Sequence, residues 1–163
     1  MKKTLFLLMI STFLLINISC QEQDCCVSPE KESKIDMLIF GKYAGFCMGN
    51  CTRLFKIEGN KLFADDVDRG VPDEVPFQSN PLSDAQYQKA KELISNFPTS
   101  LITSSEKTFG CPDCADQGGF YIEVKYDGKI HKWNVDTSED ALPDYLVTYT
   151  RNINEVMKSL STN

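Results

Sequence analysis

The segment around Asp127-Gly128 constrains the fold more than any other part of the chain. An Asp-Gly pair tolerates positive φ at both central turn positions, so it closes a two-residue hairpin whose twist matches its strands. Before the pair, Phe120, Ile122 and Val124 alternate with Tyr121, Glu123 and Lys125, and after it Lys129 to Asp136 returns. A two-residue turn sets Val124 opposite His131 and Ile122 opposite Trp133. A slip of one residue would turn every apolar side chain to the wrong face. The chain must therefore hold an antiparallel ladder with one apolar face, and something must cover that face. Tyr121, opposite the Phe120 side, is expected as a surface contact.

Two helices are available as the cover. Ser83-Asp84-Ala85-Gln86 has the pattern of a capping box, in which Ser83 caps and Gln86 reaches back. Behind it Tyr87, Ala90, Leu93, Ile94 and Phe97 fall on one helical face, and Pro98 stops the helix. Pro143 suits a first helical turn. It opens a stripe of Leu142, Tyr145, Leu146, Tyr149, Ile153, Val156, Met157 and Leu160. Further strands are expected at Ile35 to Phe40, Arg53 to Ile57 and Lys61 to Ala64, the last two joined by a Gly59-Asn60 turn. Tyr43 to Cys51, Asp65 to Leu82 and Leu101 to Gly119 read as loops, the middle one long and acidic. The order β-β-β-α-β-β-α predicts a two-layer α+β domain over residues 34–163. About five antiparallel strands would be covered on one face by two amphipathic helices.

Composition narrows the function. Of 163 residues, 42% are apolar and 25% charged, an ordinary globular balance. Lys and Arg number 17 against 23 Asp and Glu, a net charge of −6. No basic excess is left to neutralise phosphates, which argues against nucleic acid. It also argues against an electrostatic grip on anionic lipid. A single His and a single Trp leave little room for His-based catalysis or a His-rich metal site.

The N-terminus places the chain. Met1-Lys2-Lys3 is a short basic region, and Leu5 to Ile16 is an apolar run too short for a comfortable transmembrane helix. The run ends Ile16-Asn17-Ile18-Ser19-Cys20, which resembles the lipobox of bacterial lipoproteins. Asn17 departs from the usual Leu of that motif; an ordinary secreted protein cleaved nearby is the alternative. The resemblance implies a signal peptide over 1–19, acylation of Cys20 and attachment to the lipid bilayer, since acyl chains anchor by about 0.8 kcal/mol per buried CH₂. Residues 20–33 then form a polar, lipidated tether. The acidic stretch after Cys20 resembles the surface-export signal of lipoproteins from the Bacteroidota, which implies an outer-membrane location and surface exposure.

Six of the seven cysteines remain after Cys20. Exported thiols meet an oxidising compartment and tend to pair. Cys47-x₃-Cys51 and Cys111-x₂-Cys114 both fall in loops, where the chain can bend to join sulfurs. Structural disulfides are the leading expectation, either local or bridging the two loops; bridges between the loops would add more stability. A four-thiolate zinc site is a second reading, weakened by the loose first spacing. A redox C-x-x-C at Cys111-Pro112-Asp113-Cys114 is a third, but the helix N-terminus that usually lowers such a thiol's pKa is missing before Gly118-Gly119. Cys25 and Cys26, adjacent in the tether, do not easily bridge each other.

Other chemistry is thin. Asp65 to Glu74 invites a calcium reading, but with the loop started at Asp66 Gly70 comes one place early and Phe77 stands where a bidentate Glu belongs; an irregular Ca²⁺ site is the alternative to a solvated acidic loop. Asp113, Asp116 and Gln117 beside Gly118-Gly119 read as turn chemistry. His131, the one general-base candidate, shares the Trp133 face and reads as a packed structural residue. No nucleophile elbow or phosphate loop occurs. No catalytic residue, metal or cofactor is implied.

The stretches FGKYAGFCMGNCTRLFKIEGNKLFADD and CPDCADQGGFYIEV, with the tryptophan strand after them, resemble small lipoproteins of the Bacteroidota that have no assigned function. The resemblance implies an envelope location and a compact α+β domain, and it transfers no catalytic residues. The expected function is a membrane-anchored, non-catalytic binding domain whose partner is an envelope protein or a small-molecule ligand. A thiol–disulfide exchange protein using Cys111 and Cys114 and a thiolate metal-binding protein are the alternatives.

Overall fold

The computed structural model describes residues 35–68 and 70–161. Strands β5 (Gly119–Tyr126) and β6 (Lys129–Val135) form the hairpin in the expected register, Val124 against His131 and Ile122 against Trp133. Asp127 (φ 48°) and Gly128 (φ 75°) both adopt the left-handed conformation that the turn demands. The other hairpin joins β2 (Arg53–Glu58) to β3 (Lys61–Ala64), with Glu58 opposite Lys61. Strand β1 (Ile35–Tyr43) lies between the hairpins and pairs antiparallel with both, Phe40 facing Phe55 on one side and Ile122 on the other. It runs past the expected end at Phe40. Gly41 permits this, because a Cβ there would lie 2.1 Å from the Arg53 carbonyl oxygen.

The segment after the first helical region corrects the expected element order. Residues 101–119 are not wholly irregular. A short strand β4 (Thr108–Phe109) pairs parallel with β6 through Thr108–Asn134 and Phe109–Val135. The sheet therefore has six strands rather than five, in the order β3-β2-β1-β5-β6-β4. Two residues are too few to carry a periodicity, so only tertiary pairing reveals this strand.

The capping box forms as expected, with the Ser83 side chain accepting from the Gln86 N–H and the Gln86 side chain accepting from the Ser83 N–H. The helix behind it is not continuous. It divides into α1 (Asp84–Ala90) and α2 (Glu92–Ser95), followed by α3 (Ser100–Thr103). The Tyr149 hydroxyl donates to the Leu93 carbonyl at 3.1 Å, while the Phe97 N–H turns to the Ile94 carbonyl in a tighter bond of 3.3 Å. A side chain from the facing helix thus takes the carbonyl that a regular helix would have used. The last helix, α4 (Asp144–Ser161), follows a short 3₁₀ turn at Glu139–Ala141. No helix among the described residues is long and apolar enough to cross a membrane.

The helices cover one sheet face. Leu38, Phe40, Ile57, Ile122, Val124 and Trp133 meet Leu93, Phe97, Leu101, Leu146, Tyr149 and Ile153 in one core. Trp133 is fully buried at its centre. Phe97 packs against it at 6.2 Å between centroids, and Phe97 in turn meets Tyr149 edge-on at 5.6 Å. His131 stacks parallel on Trp133 at 5.9 Å, the packed role expected of it. No described residue accepts a hydrogen bond from the Trp133 indole N–H.

The opposite face is not bare, which overturns the one-sided expectation and the surface reading of Tyr121. Val71, Val75 and Phe77 from the acidic loop pack against Ile39, Leu54 and Tyr121, and Tyr121 is 4% exposed. Its hydroxyl donates to Glu123 at 2.5 Å, and Lys132 pairs with Glu123 at 3.3 Å while donating to the Asp73 carbonyl at 2.9 Å. Burial, and then the neighbouring Glu123 carboxylate, push the Tyr121 hydroxyl well above the ordinary phenol range. The loop is laced back by backbone bonds from Asp66 to Pro76 and from Gln78 to Ala64. The strand pattern hid this cover because a mostly polar loop shows no periodicity.

Candidate functional site

Strand β1 ends at Tyr43, directly opposite Gly119 at the start of β5. The two cysteine loops therefore leave the sheet side by side. Cys47 is bonded to Cys51 and Cys111 to Cys114, with Cα separations of 6.3 Å and 5.6 Å. Both disulfides are local; the inner cysteines do not bridge one loop to the other. Cys20, Cys25 and Cys26 lie outside the described residues.

Asp113 joins the loops in place of a cross-bridge. Its carboxylate accepts from Gly45 N–H at 2.9 Å in the first loop and from Gly118 N–H at 3.0 Å in its own. Its N–H returns a bond to the Gly118 carbonyl at 2.9 Å. Gly118 (φ 72°) is required here, since a Cβ would come within 2.2 Å of the Tyr43 carbonyl oxygen. The Tyr43 hydroxyl is pushed up by burial and then by the Asp113 charge. Asp113 and Asp116 both adopt positive φ, which short polar side chains tolerate. The turn reading of these residues thus holds for Asp113, with a tertiary bond added to it.

Two further ties fasten the loops. Asp136, at the end of β6, accepts from Cys111 N–H at 2.7 Å and Ser138 N–H at 2.9 Å. These bonds, Ser138 first, hold its carboxyl below the usual carboxylate range. On the other side, the Asp68 carbonyl accepts from Cys51 and Thr52, the Thr52 hydroxyl donates to the Gly70 carbonyl, and Gly70 N–H donates to the Ala44 carbonyl. The acidic loop is thus a third member of this end of the molecule. The Asp65 carboxylate serves the fold, accepting from the Leu54 and Val67 amides.

The braced first loop presents two large apolar side chains to solvent. Phe46 is 78% exposed and Met48 fully exposed. Both lie in the segment read from the sequence only as a loop, and nothing in that segment's pattern marks them as exposed. The C-x-x-C is also solvent-facing, but its setting is unfavourable for a thiolate. Asp113 lies inside it and Asp116 just after it, Asp136 binds its backbone, and it lies on a turn rather than at a helix start. Nearby negative charge disfavours the thiolate that must attack and leave in disulfide exchange. No group of three or more His, Cys, Asp or Glu side chains among the described residues is arranged to hold a metal ion. No protein-family model matches the chain, and no curated protein matches it.

Proposed function

We propose that this protein is a non-catalytic binding domain held to the bacterial envelope by an acylated Cys20, with the disulfide-closed loop around Phe46 and Met48 as its contact surface. The observation that carries the reading is that loop. Two apolar side chains stand in solvent, Met48 inside the ring closed by Cys47–Cys51 and Phe46 just before it, next to Gly45, which Asp113 ties to the neighbouring loop. Burying them in a partner gains roughly 25 cal/mol per Å². A loop already closed by a covalent bond loses little further entropy on binding.

The test uses the full chain in a bacterial envelope. Radiolabelled palmitate enters the wild type and is absent from Cys20→Ser. A photo-crosslinker at Phe46 captures one discrete adduct, whereas the same group at Lys125 does not. Phe46→Ser with Met48→Ser abolishes the adduct and changes unfolding free energy by less than about 0.5 kcal/mol, as expected for exposed positions. Turnover of insulin disulfides by the purified protein, lost in Cys111→Ser, would replace this reading with thiol exchange.

A further inference from the structure

A cleft of about 460 Å³ lies between the end of the sheet, the start of α1 and the end of α4, next to the Cys47–Cys51 loop. Its walls carry Lys42, Arg53 and Gln86, and its floor is Phe55, Leu82 and Leu160. Lys42 and Arg53 are cross-strand partners and so stand side by side on the helix-covered face. The Lys42 ammonium lies 4.6 Å above the Phe120 ring and the Arg53 guanidinium 5.5 Å from the Phe55 ring.

We propose that this cleft binds a small organic carboxylate, its carboxyl group held between Lys42 and Arg53 and its apolar body lying on Phe55, Leu82 and Leu160.

Charge is the first argument. The chain carries six more acidic than basic side chains, yet among the described residues the cations that converge here make no ion pair. The ion pairs of the described residues involve Lys56, Lys132 and Arg151, and none reaches Lys42, Arg53 or Lys158. The carboxylate of Asp65 also borders the cleft, but its two oxygens accept from the Leu54 and Val67 amides. At the end of α4 the Ser159 carbonyl is taken by Lys89 and the Ser161 hydroxyl by Arg53. Burial, and then the nearby charge of Lys158, pull the Lys42 ammonium below its ordinary range. A bound anion would relieve both costs. Shape is the second argument. The volume falls in the range of small-molecule sites, about 300–1,000 Å³, and an apolar floor with a few convergent polar groups is their usual lining. An apolar floor favours a carboxylate with a hydrocarbon body over a bare inorganic anion, and a guanidinium matches a carboxylate in two parallel bonds.

Calorimetric titration of the full chain in detergent tests this with benzoate, its neutral isostere benzamide, and inorganic phosphate. Benzoate should bind at least about tenfold tighter than either of the others. Lys42→Gln and Arg53→Gln should each weaken benzoate about tenfold, the loss of one charge-assisted contact, while Lys42→Arg retains it. The Arg53 variant carries the test alone if Lys42→Gln does not fold. Benzoate no tighter than benzamide, equal affinity in the variants, or phosphate tighter than benzoate would each overturn the assignment.

Discussion

Trp133 and Asp113 each hold two parts of this molecule together, and they do it by different physics. Trp133 sits where six-stranded sheet and helices meet, surrounded by Phe97, His131 and the rest of an apolar core. Asp113 sits where two loops meet, half-buried, with a carboxylate that reaches two backbone N–H groups on different segments. The core is cohesive because removing apolar surface from water is non-directional and every neighbour contributes. The loop end is held by directional ties at separate points, among them two disulfides, Asp113, Asp136, the carbonyl of Asp68 and the bonds of Gly70 to Thr52 and Ala44. Such an end can hold a fixed shape while leaving Phe46 and Met48 in solvent, which a hydrophobic core could not do.

The contrast can be broken from the core side first. Trp133→Ala should cost about 3–5 kcal/mol of unfolding free energy, the range for emptying a large aromatic site. Equilibrium denaturation of the full chain would measure it, and a loss below about 1 kcal/mol would mean that the core does not depend on this ring. The loop side is next. Cys47→Ser with Cys51→Ser should cost about 2 kcal/mol, because a bridge across so few residues removes little entropy from the unfolded chain. The same denaturation curves measure it, and reductant, which opens the Cys111–Cys114 bridge as well, should give the larger shift. A cost equal to that of Trp133→Ala would show that the loop end and the core unfold as one unit.

The smallest effect is one of pH. The Asp136 carboxyl has its folded pKa depressed by the Ser138 and Cys111 amides. Its contribution is therefore fully present above the unfolded carboxylate value near pH 4 and is lost as pH falls through the folded value. Asp136→Asn keeps one acceptor of the two and should lose about 1 kcal/mol at neutral pH. Its stability should also fall less steeply with acid below about pH 4. An unchanged acid slope would mean that the carboxylate does not tie the Cys111 loop to the sheet.

Legibility followed locality. The Asp127-Gly128 and Gly59-Asn60 turns, the Ser83 capping box and the α4 stripe were all readable, since each rests on residues within one or two turns of chain. The two cysteine pairs were readable as bridge candidates, though their local pairing was not. The break at Lys91 carried no Pro or Gly to mark it, and the turn at Phe97 was hidden because the Tyr149 hydroxyl that takes the Leu93 carbonyl comes from another helix. Phe46 and Met48 carried no pattern that separates an exposed apolar residue from a buried one. The Lys42–Arg53 pair was invisible because the two residues become neighbours only through cross-strand register.

By itself the amino-acid order determined the hairpins, their register, the amphipathic helices and the loops that hold the inner cysteines. Backbone sterics, turn chemistry and hydrophobic period act over short distances and need no partner to be read. Tertiary structure alone decided that β1 would lie between the two hairpins and that the acidic loop would cover Tyr121. It also brought the two disulfide loops side by side and set Lys42 beside Arg53. These outcomes depend on which surfaces find one another once the chain collapses, and no local pattern encodes that choice.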